Sequence, residues 1–306
     1  MLSIEPTDES DKRLRKLEIK IAPEKTTLTP FLKWPGGKRW FVKQYASILP
    51  ERFNRYIEPF LGSGAVYFYF APEKAILTDV NAGLINTYNI VRDYSALLED
   101  LLQFHHNKHS LSYYYFMRDV VPEDPVKQAA RFIYLNRTCW NGLYRVNKRG
   151  EFNVPIGTKS SVLLDSDNFT ALSGILRSAR ILIADFEESI NLAGKGDFLF
   201  VDPPYTVKHN NNGFLKYNEH IFSWSDQVRL AESLSRASRR GAQFIMTNAD
   251  HVSVRELYSN FSCYPVSRRS VLAGNTHDRG LTTELVVTTN DISESTFTSM
   301  RPWEDR

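Results

Sequence analysis

The chain has 306 residues, of which 42% are hydrophobic and 24% charged, with a net charge of +3. That supplies a full core for one large domain with an insertion or for two domains, but no stretch approaches the roughly 18 apolar residues a membrane span needs. Cys139 and Cys263 stand far apart without Cys-x-x-Cys spacing, so neither a disulfide framework nor a zinc site is indicated, and Glu5, Asp8 and Glu9 lie where a secretory leader needs apolar sequence. A cytoplasmic protein without a membrane partner is expected.

Residues 1–30 are charged and aromatic-free and read as an extension outside the core. From Phe31 the pattern is α/β: a Gly36-Gly37 turn, a helix over 38–48, a strand over 56–58, a helix over 65–70 and a strand over 75–79. Helical periodicity then covers 82–104, 112–120 and 125–138, and the turn-rich stretch 141–157 resembles a hairpin. After it come a helix over 168–179, strands over 180–184 and 197–202, a helix over 225–238, and strands over 242–248 and 283–289. The architecture predicted is a Rossmann-like doubly wound sheet built from 31–81 and 166–306, with a helical and hairpin insertion at 82–165.

The most informative motif is Asp202-Pro203-Pro204-Tyr205, directly after the apolar run Phe198 to Val201. Such a run reads as a buried parallel strand, and its carboxyl end opens on the crevice where open α/β sheets bind ligands. A carboxylate, stiff carbonyls without competing donors and an aromatic ring suit a flat, amine-bearing base. Glu58-Pro59-Phe60-Leu61-Gly62-Ser63-Gly64 places a Gly-x-Gly turn between a strand and a helix, and Asp79 ends the next strand, where its carboxylate can accept from both ribose hydroxyls of a nucleoside. A dinucleotide fingerprint would need a small residue at Tyr67, which argues against NAD. Before these, Lys33-Trp34-Pro35-Gly36-Gly37-Lys38 forms a second loop with two lysines and an indole. Between Arg131 and Lys159 lie six basic residues against one acid, interleaved with Tyr134, Trp140, Tyr144 and Phe152, a composition suited to nucleic acid. His105, His106 and His109 have a faintly metal-like spacing but read as an exposed helix end, and no metal is expected.

Lys-Trp-Pro-Gly-Gly-Lys, Glu-Pro-Phe-Leu-Gly-Ser-Gly and Asp-Pro-Pro-Tyr, in this order, resemble the alpha group of DNA adenine-N6 methyltransferases, the Dam-like enzymes. Asn136 to Asn147 and Gly150 to Pro155 resemble the family's recognition hairpin, with Trp140 where several relatives carry Tyr or Phe. The resemblance implies S-adenosyl-L-methionine as cofactor, held by Trp34, Lys38, Glu58, Phe60, Gly62, Gly64, Asp79 and Asp202. It implies catalysis by Asp202, Pro203, Pro204 and Tyr205 on an adenine flipped out of double-stranded DNA, with 82–165 as the target-recognition domain. DNA contacts are expected from Lys33, Arg137, Trp140, Asn141, Leu143, Arg145 and Pro155. The hairpin 141–145 with Pro155 and Lys33 matches positions that read bases in GATC-methylating relatives, which implies GATC as the target; Trp140 is expected to wedge into the space left by the flipped adenine and Arg137 to contact phosphate. A cognate restriction endonuclease acting on the same site is a candidate partner. Cytosine N4 or RNA as substrate, and a catalytically idle DNA-binding protein, are the competing readings.

Overall fold

A computed structural model of the protein describes residues 28–147, 150–208, 222–269 and 281–292. Its centre is a seven-stranded sheet in the order β3-β2-β1-β4-β5-β7-β6. The strands are β1 (Tyr56–Glu58), β2 (Ala75–Asp79), β3 (Ala179–Ile183), β4 (Phe198–Val201), β5 (Gln243–Ala249), β6 (Ser262–Arg269) and β7 (Leu281–Thr288). β1 to β5 are parallel, whereas β7 runs antiparallel between β5 and β6. Side chains alternate between two apolar clusters: Tyr56, Leu77, Phe198 and Phe200 face one, and Ile57, Ile76, Leu199 and Val201 face the other. Burial on both faces explains the unbroken apolar runs. The chain builds outward from β1 to β3 and then returns to place β4 on the other side of β1, so the loops after β1 and β4 diverge at a topological switch point.

Among the described residues there are ten α-helices. α1 (Arg39–Tyr45) and α2 (Ala65–Phe70) follow the two glycine turns. The predicted helix over 82–104 is two helices, α3 (Ala82–Asp93) and α4 (Ser95–Lys108), broken where Tyr94 leaves helical geometry at φ −135° and ψ 36°. α5 (Leu111–Asp119) and α6 (Pro125–Thr138) follow. Asn81, Ser110 and Asp124 cap α3, α5 and α6, each accepting from the backbone N–H three residues on, a bond worth about 1 kcal/mol. Residues of α3 to α6 share one apolar cluster with one face of the sheet. The stretch 141–157 is antiparallel but forms no continuous ladder; two isolated bridges, Cys139 with Ile156 and Val146 with Phe152, hold it.

α7 (Phe169–Leu176) and α9 (Trp224–Arg239) lie where helices are predicted. Three elements are not predicted: α8 (Phe186–Asn191), α10 (Val252–Leu257) and β6. The two helices have six residues each, too few to show periodicity, although Asp185 and Glu188 form a capping box at the start of α8. β6 contains Pro265, which reads against a strand and is tolerated because β6 is the sheet edge. The Asn-rich stretch 209–213 and most of residues 1–30 lie outside the described residues.

Candidate active site

At the carboxyl ends of β1, β2 and β4 opens a cavity of about 940 Å³. Every residue predicted for cofactor or catalysis borders it, and so do Leu143 and Arg145 of the predicted recognition segment. One half is built on the turn after β1. Gly62 has φ +47°, and a Cβ there would lie 2.8 Å from Trp34 Cδ1, so only glycine lets the indole pack on this backbone. The Gly62 N–H donates to Asp79 Oδ2 at 3.2 Å and the Asn81 N–H to Oδ1 at 2.9 Å. Burial raises the Asp79 carboxyl pKa, and these two amides pull it back. Glu58 is buried and accepts from the Tyr56 hydroxyl at 2.9 Å; burial pushes its carboxyl well above the ordinary range. Phe60 stacks on Phe186 with centroids 5.4 Å apart, and Phe222 meets Phe60 edge-on at 5.7 Å. Together they contribute an aromatic recess to the cavity lining. The Arg229 guanidinium lies 4.3 Å from the Phe186 ring, paired with Asp185 and Asp226. Asp185 and Phe186 belong to no predicted motif; the capping box after an apolar strand is the signal that points to them.

The other half surrounds the turn after β4. Lys38 Nζ lies 2.7 Å from Asp202 Oδ1 and donates to the Gly36 carbonyl at 2.6 Å. The Thr247 hydroxyl donates to the same Asp202 oxygen at 2.7 Å. Tyr205 donates its hydroxyl to Glu284 Oε2, and Lys38 Nζ sits 5.2 Å from the Tyr205 ring centroid. Burial, then the charges of Asp202 and Glu284, hold the Tyr205 hydroxyl protonated well above its ordinary range. Thr247 and Glu284 come from β5 and β7 and lie outside every predicted motif; their signal is a polar residue inside an apolar strand.

The predicted recognition segment meets this cavity through aromatic stacking. Trp34 lies parallel to Tyr144 at 5.4 Å, and Tyr144 to Phe132 of α6 at 4.6 Å. Asn136 clasps the Lys33 backbone, accepting from its N–H at 2.9 Å and donating to its carbonyl at 2.7 Å. A Cβ at Gly142, whose φ is +66°, would lie 2.5 Å from Lys33 Cδ, so the lysine stem runs against the turn. Burial and the nearby Lys159 ammonium lower the Lys33 pKa. Trp140 is 53% exposed, and Asn141, Arg145 and Pro155 are exposed beside it. Arg145 Nε donates to Asn153 Oδ1 at 3.0 Å, and the Pro155 carbonyl accepts from the Trp140 N–H at 2.9 Å.

Arg137 must be corrected. Its side chain is 3% exposed, pairs with both Asp167 oxygens and donates to the Phe31 and Val162 carbonyls, so it joins chain segments and cannot reach phosphate. Arg131 is likewise spent on the Met117 and Arg118 carbonyls at the end of α5. His105 is not at an exposed helix end: it is buried, stacked on Tyr134 and bonded to the Tyr113 hydroxyl at 2.7 Å. Among the described residues no group of three His, Cys, Asp or Glu side chains is arranged to hold a metal, and no helix is long and apolar enough to cross a membrane.

Residues 34–272 match the model of the D12 class N6 adenine-specific DNA methyltransferase family. The chain is 35% identical over 277 residues to the type II methyltransferase M1.LlaDCHI of Lactococcus lactis subsp. cremoris, covering 88% of this chain and 98% of that protein. It is 31% identical over 279 residues to a DNA adenine methylase of Haemophilus influenzae, covering 87% and 97%. With the DNA N-6-adenine-methyltransferase of Escherichia phage P1 it shares 37% over 261 residues, 83% of this chain and 34% of the phage protein. A family model that spans most of the chain and relatives above 30% identity along nearly their whole length agree: the chain belongs to the D12 class of N6 adenine-specific DNA methyltransferases.

Proposed function

We propose that the protein transfers a methyl group from S-adenosyl-L-methionine to N6 of an adenine flipped out of duplex DNA, within GATC. The observation that carries this reading is the placement of Asp202 and Tyr205 across one cavity from Gly62, Asp79 and the Phe60–Phe186 recess. The donor set fits a sulfonium nucleoside: Asp79 offers a carboxylate to a ribose, and Phe60 and Phe186 offer aromatic faces to an adenine. When bound, the cofactor supplies an electrophilic methyl group on sulfur. The chain does the rest. Asp202 and the Pro203 carbonyl accept the two N–H groups of the target amine and aim its lone pair, and the Tyr205 ring stabilises the positive charge that grows on nitrogen. As the N–C bond forms the C–S bond breaks, and the methylated amine then releases its proton.

For specificity, Arg145 has the fork to take guanine O6 and N7, Leu143 and Pro155 offer apolar surface to a thymine methyl, and Lys33 reaches an outer guanine. Exposed Trp140 is the side chain that would wedge into the space left by the flipped adenine. Residues 82–165 then act as the target-recognition domain, in a cytoplasmic protein. The likeness to a type II methyltransferase supports a cognate restriction endonuclease as partner. The test is incubation of duplex DNA with labelled cofactor followed by nucleoside analysis: label in N6-methyladenine is expected, and label in N4-methylcytosine overturns the reading.

A further inference from the structure

The catalytic turn is braced by residues that belong to no motif. Glu284 is 2% exposed in the run Thr-Glu-Leu-Val-Val of β7, a place where an unpaired carboxylate is strongly disfavoured. It accepts the Tyr205 hydroxyl and lies 3.9 Å from Lys38 Nζ, the same ammonium that sits 2.7 Å from Asp202 Oδ1. Thr247 donates to that Oδ1 as well. One oxygen of Asp202 therefore takes two donors, whereas no described residue donates to Oδ2.

We propose that Glu284 is a positioning residue for methyl transfer. With Lys38 and Thr247 it fixes Asp202 so that Oδ2 is the oxygen left to accept an N–H of the target amine. By holding the Tyr205 hydroxyl it also turns that ring, and not its hydroxyl, toward the base. Charge supports the same role. Lys38 is one cation between two carboxylates, so the cluster keeps a net negative charge, and Asp202 stays a strong acceptor beside a nitrogen that becomes cationic. Without the Glu284 charge, Lys38 would neutralise Asp202 alone. The inference rests on the adenine-N6 reaction proposed for this site.

The test uses the full chain, its Glu284→Gln, Glu284→Ala and Tyr205→Phe variants, and the double variant Tyr205→Phe with Glu284→Gln. The substrate is a duplex with one target adenine, replaced by 2-aminopurine for binding. Single-turnover transfer should slow about 10-fold in Glu284→Gln and about 100-fold in Glu284→Ala, the scale of a small misplacement of reacting groups. Affinities for the duplex and for S-adenosylhomocysteine should stay within about threefold. In the double variant the loss should be smaller than the product of the two single losses, because both act through one hydrogen bond. Glu284→Gln keeps the side-chain volume and an acceptor, so it reports even if Glu284→Ala fails to fold. A wild-type rate in Glu284→Gln, strictly multiplicative losses, or a rate loss matched by equal losses of both affinities would overturn the proposal. Wild-type protein that leaves adenine N6 unmethylated would instead refute the reaction itself.

Discussion

The two walls of the cavity are held in different ways. The wall formed by the ends of β1, β2, β4, β5 and β7 is tied by the Lys38–Asp202 ion pair and by hydrogen bonds to charged groups, from Tyr205 to Glu284 and from two backbone amides to Asp79. The facing wall, residues 140–155, exposes Trp140, Asn141 and Arg145 and is held by isolated bridges, single hydrogen bonds and the Trp34–Tyr144 stack. Under the proposed function the difference separates two tasks. Chemistry needs groups preorganised before substrate arrives, because reorganising them in the transition state adds to the barrier. Base reading tolerates a lightly held surface that DNA completes by supplying the missing partners.

Mutations on the two walls should therefore fail differently. The largest effect is expected from Asp202→Ala, which removes the proposed acceptor for the target amine. Methyl transfer should fall by at least about 10³-fold while S-adenosylhomocysteine affinity, read by calorimetry, changes only a few-fold. Next comes Arg137→Ala, which leaves Asp167 buried without its partner beneath the reading wall. The expected cost is about 3–5 kcal/mol in denaturant unfolding, with the salt dependence of DNA binding unchanged in whatever protein remains folded.

A pH effect of similar kind lies deeper in the same support. His105 has its pKa lowered to about 4 by burial, from an ordinary value of 6.5. Because the folded value is the lower one, its contribution is present above pH 6.5 and is lost as pH falls toward 4, where the unfolded chain takes up the proton first. The loss is at most about 3 kcal/mol. Urea unfolding between pH 7 and 4 should show it, and His105→Gln should flatten that acid limb. The smallest effect is expected from Arg145→Ala on the exposed wall. Discrimination at one base pair should drop by about 1–3 kcal/mol, with the transfer rate on the preferred site changing less than the specificity ratio. Competition between duplexes that differ at one pair measures both.

The sequence made the first wall legible wherever the chemistry needs contiguous residues. Gly62 and Gly64 with Asp79, and Asp202 to Tyr205, sit at the ends of strands whose apolar runs announce themselves, so motif and placement agree. Lys38 is equally visible in its loop, but its pairing with Asp202 is not, because eight α-helices and four strands separate the two in the chain before the sheet brings them together. Thr247 and Glu284 are hidden for the same reason: their strands read as ordinary core, and only the register of β5 beside β4 and β7 sets them against the catalytic turn. Arg137 shows the opposite failure. It stands among basic and aromatic residues and reads as a phosphate contact, yet α6 turns it inward onto Asp167. Charge density along a chain says nothing about which face of a helix a cation occupies.

The central claim is that a preorganised amine-methylating wall faces a separate wall that confines it to one sequence. Single-molecule sequencing of DNA from cells expressing the protein tests both parts together. N6-methyladenine confined to GATC is the expected result. N6-methyladenine at unrelated sequences would contradict the reading wall, and modified cytosine in place of adenine would contradict the chemistry.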